Sequence, residues 1–141
     1  MANTVYLTRR ERFNAAHKLW VPAWDDKKNY EVFGKCSNPN WHGHNYDLFV
    51  TVKGAPDPVT GFCMDLKFLS DLVGDKVISK MDHKNLDMDV DFMKGKMSSA
   101  ENIAISIWEQ LEESVVAQGC RLHSVKLYET ENNIVEYFGG E

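Results

Sequence analysis

Cys36-Ser37-Asn38-Pro39-Asn40-Trp41-His42-Gly43-His44-Asn45-Tyr46-Asp47-Leu48-Phe49-Val50-Thr51-Val52-Lys53 changes character halfway along. Its second half alternates. Tyr46, Leu48, Val50 and Val52 fall on one face, and Asp47, Phe49, Thr51 and Lys53 on the other, which is the period of a half-buried strand. His42 and His44 share the parity of the apolar set. They therefore project from the core side, beyond its last apolar rung. Two neutral imidazoles converging from one face suit a borderline metal such as zinc. Gly43 between them permits close packing. An isolated His-x-His is more often the polar start of a strand, and a third histidine in the right place reverses that balance. Cys36 lies six residues before His42, across an Asn-Pro-Asn turn. A thiol in a polar loop beside a metal can serve as base or nucleophile, with Lys35 next to it favouring the thiolate. A packed thiol beside an exposed lysine is the plainer alternative.

The preceding segment, 4–16, reads as a long strand in which Val5, Leu7, Phe13, Ala15 and His17 share a face. Arg9 and Glu11 interrupt that face, which predicts a bulge or partial burial. Arg10 and Arg12 point the other way, as anion contacts or as a solvated strand edge. His17 ends the strand on its apolar-side parity and supplies an imidazole at the rim of the core. Residues 18–41 form a long connection. Trp20, Trp24, Tyr30, Phe33 and Trp41 predict that it is ordered, with a helical turn near Asp25–Phe33. Beyond the His strand, 57–61 read as a hairpin loop with Gly61 left-handed, and 62–65 as a short returning strand. Cys63 reads there as packing.

Residues 66–80 read as an amphipathic helix on Leu66, Leu69, Val73 and Val77. Asp82-His83 follows, a pair able to form a proton relay or merely a polar loop. A second helix begins at Ser98 or Ser99, where Ser98-x-x-Glu101 matches a capping box, and runs on Ala100, Ile103, Ile107, Leu111 and Val115 to Gly119. Ser99 is available to a ligand at that helix start, although a cap accounts for it more simply. Residues 122–129 form a strand that sets Glu129 on the parity of Val125 and Leu127. A carboxylate on an apolar face calls for a partner, such as a ligand with two N–H donors. Residues 134–138 form the last strand. The pattern is α+β: a four-stranded antiparallel sheet with two helices on one face. The uncovered face predicts an oligomer.

Composition narrows the function. The 141 residues suit one domain, 1–141. A net charge of −5 argues against a general nucleic-acid or anionic-membrane binder. Three cysteines do not make a disulfide framework and fit a reducing, cytoplasmic setting. No apolar run reaches membrane-spanning length, and the N-terminus has no stretch suited to a signal peptide.

Four motifs taken together resemble the 6-pyruvoyl-tetrahydropterin synthase family. They are Phe13-x-Ala15-Ala16-His17; Cys36 followed after five residues by His42-Gly43-His44-Asn45-Tyr46; Asp82-His83-Lys84-Asn85-Leu86; and Tyr128-Glu129-Thr130-x-Asn132-Asn133. The resemblance runs from about Arg9 to Phe138. It implies the tunnelling fold, a trimer closing a β-barrel, and two trimers stacked as a homohexamer. It implies 7,8-dihydroneopterin triphosphate as substrate, and 6-pyruvoyl-tetrahydropterin and inorganic triphosphate as products. By motif position, His17, His42 and His44 are expected to bind Zn2+. Cys36 is expected to abstract a proton, and Asp82 with His83 to relay another from a different subunit of the shared site. Glu129 is expected to anchor the pterin. Arg10, with Arg9 and Lys35, is the nearest candidate for the triphosphate, and no nicotinamide or flavin is implied. Two departures are visible: Ser98-Ser99-Ala100-Glu101 where Ser-Thr-Thr-Glu is expected, and Trp41 where a small residue is expected. Two alternatives stand beside this reading. One is a 6-carboxy-tetrahydropterin synthase-like enzyme, whose members space the Cys and the His-Gly-His more closely. The other is a non-catalytic zinc module closed by Cys36 and the three histidines.

Overall fold

A computed structural model describes residues 3–140. Its centre is the antiparallel pair β1 (Val5–His17) and β2 (His42–Gly54), each 13 residues long. The register runs without a shift from Val5 opposite Gly54 to His17 opposite His42. Phe13, Ala15 and His17 of β1 and Tyr46, Leu48, Val50 and Val52 of β2 are buried, as the alternation predicts. A two-residue strand, β3 (Lys84–Asn85), runs parallel to β1 at its outer edge. On the other side β4 (Arg121–Tyr128) pairs with β2, and β5 (Ile134–Tyr137) pairs with β4, completing the order β3-β1-β2-β4-β5.

Among the described residues the sheet thus has five strands, not four. The extra strand is not the expected return at 62–65. That segment is irregular, because Asp57 has already closed the turn by accepting the N–H groups of Val59 and Thr60, with Gly61 at φ 79°. A two-residue strand such as β3 is too short to show a period. The bulge is also elsewhere. Arg9 and Glu11 pair at 3.3 Å and remain half-buried on the core-side face, so β1 keeps its register. The shift falls between Thr51 and Val52 against β4, where His123 is the additional residue.

Among the described residues, three α-helical segments accompany the sheet, besides short 3-10 turns at Gly34–Ser37 and Asp91–Met93. α1 (Asp26–Phe33) is capped by Asp25, whose carboxylate accepts from the Lys28 N–H. Inside it the buried Asn29 amide clips both the N–H and the carbonyl of Val21, which orders the long connection. α2 (Leu66–Val73) passes through a π-turn at Gly74–Ile78 into α3 (Ser79–Met81). This segment buries Leu69, Leu72, Val73, Val77 and Met81, whereas Leu66 is exposed, contrary to the expected stripe. α4 (Ala100–Ala117) buries Ile103, Ile107, Leu111 and Val115. Its cap is Ser99, whose Oγ accepts from the Asn102 N–H, not Ser98.

Helices α2–α3 and α4 cover one face of the sheet. The other face presents Thr8, Arg10, Arg12, Asn14, Asn45, Asp47, Thr51 and Lys53 around Phe49, with Lys126 and Tyr128 beside them. That face is mixed: polar and charged residues predominate, with exposed Tyr6 and Ile134 and the Phe49 and Tyr128 rings among them, so it is less apolar than expected. No described helix is long and apolar enough to cross a membrane.

Leu48 is fully buried in the middle of β2, and Val59 is exposed at the loop tip. Leu48→Ala is expected to cost about 2–5 kcal/mol. Val59→Ala should stay within about 0.5 kcal/mol. Urea unfolding of the two variants checks the placement of the core.

Candidate metal centre and adjoining cleft

The β1–β2 register gathers three imidazoles at the end of the sheet. His17 faces His42 across the ladder, and His44 faces Ala15, a small residue that leaves room for the ring. A Cβ at Gly43 would meet the Ala15 carbonyl oxygen at 3.4 Å, an ordinary van der Waals contact, so the expected close packing does not by itself require glycine there. The ring centroids are 4.6, 5.1 and 4.9 Å apart, and one nitrogen from each ring lies within 4.8 Å of the others. Tyr46 floors the group, stacked on Phe13 at 4.7 Å.

The electrostatics favour neutral rings. Burial lowers the pKa of all three histidines below the ordinary 6.5; neighbouring imidazoles add to this, while Glu129 opposes it. His17 Nδ1 lies 2.6 Å from the Ser98 carbonyl oxygen. A carbonyl only accepts, so Nδ1 carries the proton and the Nε2 lone pair turns to the centre. His17 Nε2, His44 Nε2 and both ring nitrogens of His42 are buried with no hydrogen-bond partner. Leaving such groups unmet costs on the order of 1–3 kcal/mol each. A divalent cation meets lone pairs in this arrangement, so the residues fit a metal. Cys36 is not a member of the group.

Beside the histidines lies a cleft of about 430 Å3 lined by Leu19, Ser99, Glu101, Glu129, Asn132 and Asn133 among others. Glu129 Oε2 stands 3.9 Å from His17 Nε2. Its own N–H donates to the Asn133 carbonyl, and Thr130 Oγ1 accepts from the N–H groups of Asn132 and Asn133. This turn fixes the carboxylate at the end of β4. Ser99 opens on the same cleft while its hydroxyl caps α4.

The remaining candidates lie apart. Cys36 sits half-buried in a single 3-10 turn, Gly34–Ser37, whose Cys36 carbonyl accepts the Leu19 N–H at 2.8 Å. That bond ties the turn to the backbone just past His17. Asp82 and His83 do pair, with Oδ2 to Nδ1 at 3.1 Å. The Asn14 N–H and then His83 hold the Asp82 carboxyl below its usual range. The His83 ring is 81% exposed, on a left-handed residue (φ 61°) outside the β1 edge. Arg10 is on the uncovered face, bound to Asp47 at 3.1 Å and lying over Phe49, outside the histidine cleft. Cys63 and Cys120 touch each other at 3.6 Å, and burial pushes the Cys63 thiol up to about 11, which agrees with packing roles. The sequence reading missed the Ser98 carbonyl that orients His17, because a backbone acceptor leaves no mark in the residue pattern.

The lowered histidine pKa values set a sign. As pH falls through 6.5, the unfolded state takes up protons that the folded rings refuse, so the fold loses stability. Metal-free protein is therefore expected to unfold at lower urea concentration at pH 5.5 than at pH 7.5. A midpoint that is level between these pH values contradicts the buried neutral cluster.

Comparison with known proteins agrees with this geometry. The family model described as 6-pyruvoyl tetrahydropterin synthase matches residues 6–140. The sequence is 46% identical over 133 residues to the 6-pyruvoyl tetrahydrobiopterin synthase of Homo sapiens, covering 94% of this protein and 90% of the relative. It is 43% identical over 139 residues to that of Dictyostelium discoideum, covering 99% of each. The solved structure of Caenorhabditis elegans 6-pyruvoyl tetrahydropterin synthase superposes with a TM-score of 0.91 at 39% identity, over 99% of this protein and 98% of that one. With the match spanning all five strands and the histidine centre, the protein belongs to the 6-pyruvoyl tetrahydropterin synthase family.

Proposed function

We propose that this protein is a cytoplasmic, zinc-dependent 6-pyruvoyl-tetrahydropterin synthase of a single domain, 1–141. It converts 7,8-dihydroneopterin triphosphate to 6-pyruvoyl-tetrahydropterin and inorganic triphosphate, a phosphate-eliminating lyase reaction in tetrahydrobiopterin biosynthesis. The observation that carries the proposal is the set of three imidazoles, each with a buried ring nitrogen that has no hydrogen-bond partner, opening beside the Glu129 cleft. His17, His42 and His44 would hold the zinc. Bound there, zinc would supply Lewis-acid chemistry that would polarise the hydroxyls on the substrate's side arm and acidify the neighbouring C–H.

The protein's own residues do the rest. Glu129 accepts the N–H donors of the pterin ring and fixes its orientation. Ser99 contacts the substrate from the start of α4. Cys36 takes the proton from the carbon next to those hydroxyls as general base. Asp82 receives the Asn14 N–H and holds His83 as a relay for the second proton. That pair is exposed at the sheet edge, which suits delivery into the site of a neighbouring subunit. Arg10 is proposed to meet the triphosphate in the same way, across a subunit boundary. The protein is accordingly proposed to be a homohexamer, two trimers each closing a barrel. Cys36 standing outside the ligand group disfavours the closed zinc module. Product analysis from the triphosphate substrate separates the pyruvoyl from the 6-carboxy outcome.

His42→Ala or His44→Ala should lose both zinc and activity. Cys36→Ala should keep zinc and pterin binding but lose about 10²–10⁴-fold in turnover. Zinc per subunit and product formation, measured on the same samples, decide the roles. Turnover near wild type rejects Cys36 as the base, and loss of zinc from Cys36→Ala supports the closed module instead. Light scattering should give six subunits per particle, and a stable monomer would remove the shared site.

A further inference from the structure

We propose that Asp87 is a positioning residue that clamps together the two strand ends carrying His17 and His42. The inference rests on the reading that the three imidazoles hold a metal. One carboxylate oxygen, Asp87 Oδ2, accepts the backbone N–H of Lys18 at 2.9 Å and the indole N–H of Trp41 at 3.0 Å. Lys18 is the residue after His17, and Trp41 is the residue before His42. A single acceptor therefore bridges the exit of β1 and the entry of β2, at the rung where the two ligands face each other.

The bridge is itself anchored. The Asp87 N–H donates to the Asn85 Oδ1 at 2.9 Å, and Asn85 lies in β3 against β1. The Lys18 ammonium lies over both Trp20 and Trp41, with 4.8 and 4.5 Å to their ring centroids. Trp41 is held in the left-handed region at φ 63°, a conformation that a bulky residue keeps only when its surroundings enforce it. The indole bond and the lysine contact provide that enforcement.

The need for a clamp follows from the rings. The His17 imidazole is oriented by the Ser98 carbonyl, whereas both nitrogens of His42 are buried without a partner. No hydrogen bond on the ring fixes His42, so its aim depends on its backbone. Partners one step removed from the ligands commonly affect metal affinity about 10–100-fold. Asp87 would act at that level without touching the metal.

The test measures metal affinity, not turnover. Zinc and cobalt(II) binding are titrated against a competing chelator for wild type, Asp87→Ala, Asp87→Asn and Trp41→Phe, with the cobalt absorption spectrum of each. Asp87→Ala should bind about 10–100-fold more weakly and with an altered cobalt spectrum. Asp87→Asn, which retains an oxygen acceptor, should recover part of the loss, and Trp41→Phe should fall between wild type and Asp87→Ala. If Asp87→Ala fails to fold, Trp41→Phe decides, because it keeps an aromatic ring and removes the N–H. Wild-type affinity and spectrum in Asp87→Ala, or in Trp41→Phe when it alone folds, overturn the clamp and leave the metal site standing. Absence of metal binding by wild type itself overturns both.

Discussion

The register between β1 and β2 is the constraint on which the rest depends. It sets His17 opposite His42 and places a small residue opposite His44. A slip of one residue would turn His42 and His44 to the other face and send Tyr46, Leu48, Val50 and Val52 out of the core with them. The core therefore protects the site: the same alternation that buries four apolar rungs aims the imidazoles. With no shift along the 13 paired residues, burial in the middle of the sheet holds the geometry at its end.

The covered face and the end of the sheet divide the chemistry. Helix α4 brings the Ser98 carbonyl to His17 at its entrance and Ser99 to the cleft beside Glu129. The segment after α3 carries Asp82 and His83 outward, past the edge of β1, where the Asn14 N–H and carbonyl fix the pair. The fold thus presents the histidine cluster with its cleft at one end of the sheet and, apart from it, an exposed acid–imidazole pair.

Much of this is legible from residues alone. Parity puts His17, His42, His44 and Glu129 on the core side, because a strand of period two leaves little choice once its apolar set is known. Helical stripes locate α4 and the long 66–81 segment within a residue or two. Failures come where local chemistry lacks a period. The two-residue β3 has no pattern to show. The expected strand at 62–65 is pre-empted by the Asp57 turn. The cap moves from Ser98 to Ser99 because two adjacent serines compete for the same role, and only burial of Ser98 behind His17 separates them. Parity alone suggests a bulge at Arg9 and Glu11, since it cannot show that the two pair across one intervening residue. Trp41 is visible as an oddity before His42, but its partner Asp87 lies 46 residues away.

The central claim is that three imidazoles, and no thiolate, hold the metal beside the Glu129 cleft. X-ray absorption at the zinc edge of zinc-loaded wild-type protein tests it directly. The account predicts a shell of nitrogen and oxygen neighbours only, near ~2.0–2.1 Å, with the multiple-scattering signature of three histidines. A sulfur neighbour near ~2.3 Å would contradict it by putting Cys36 on the metal and closing the site.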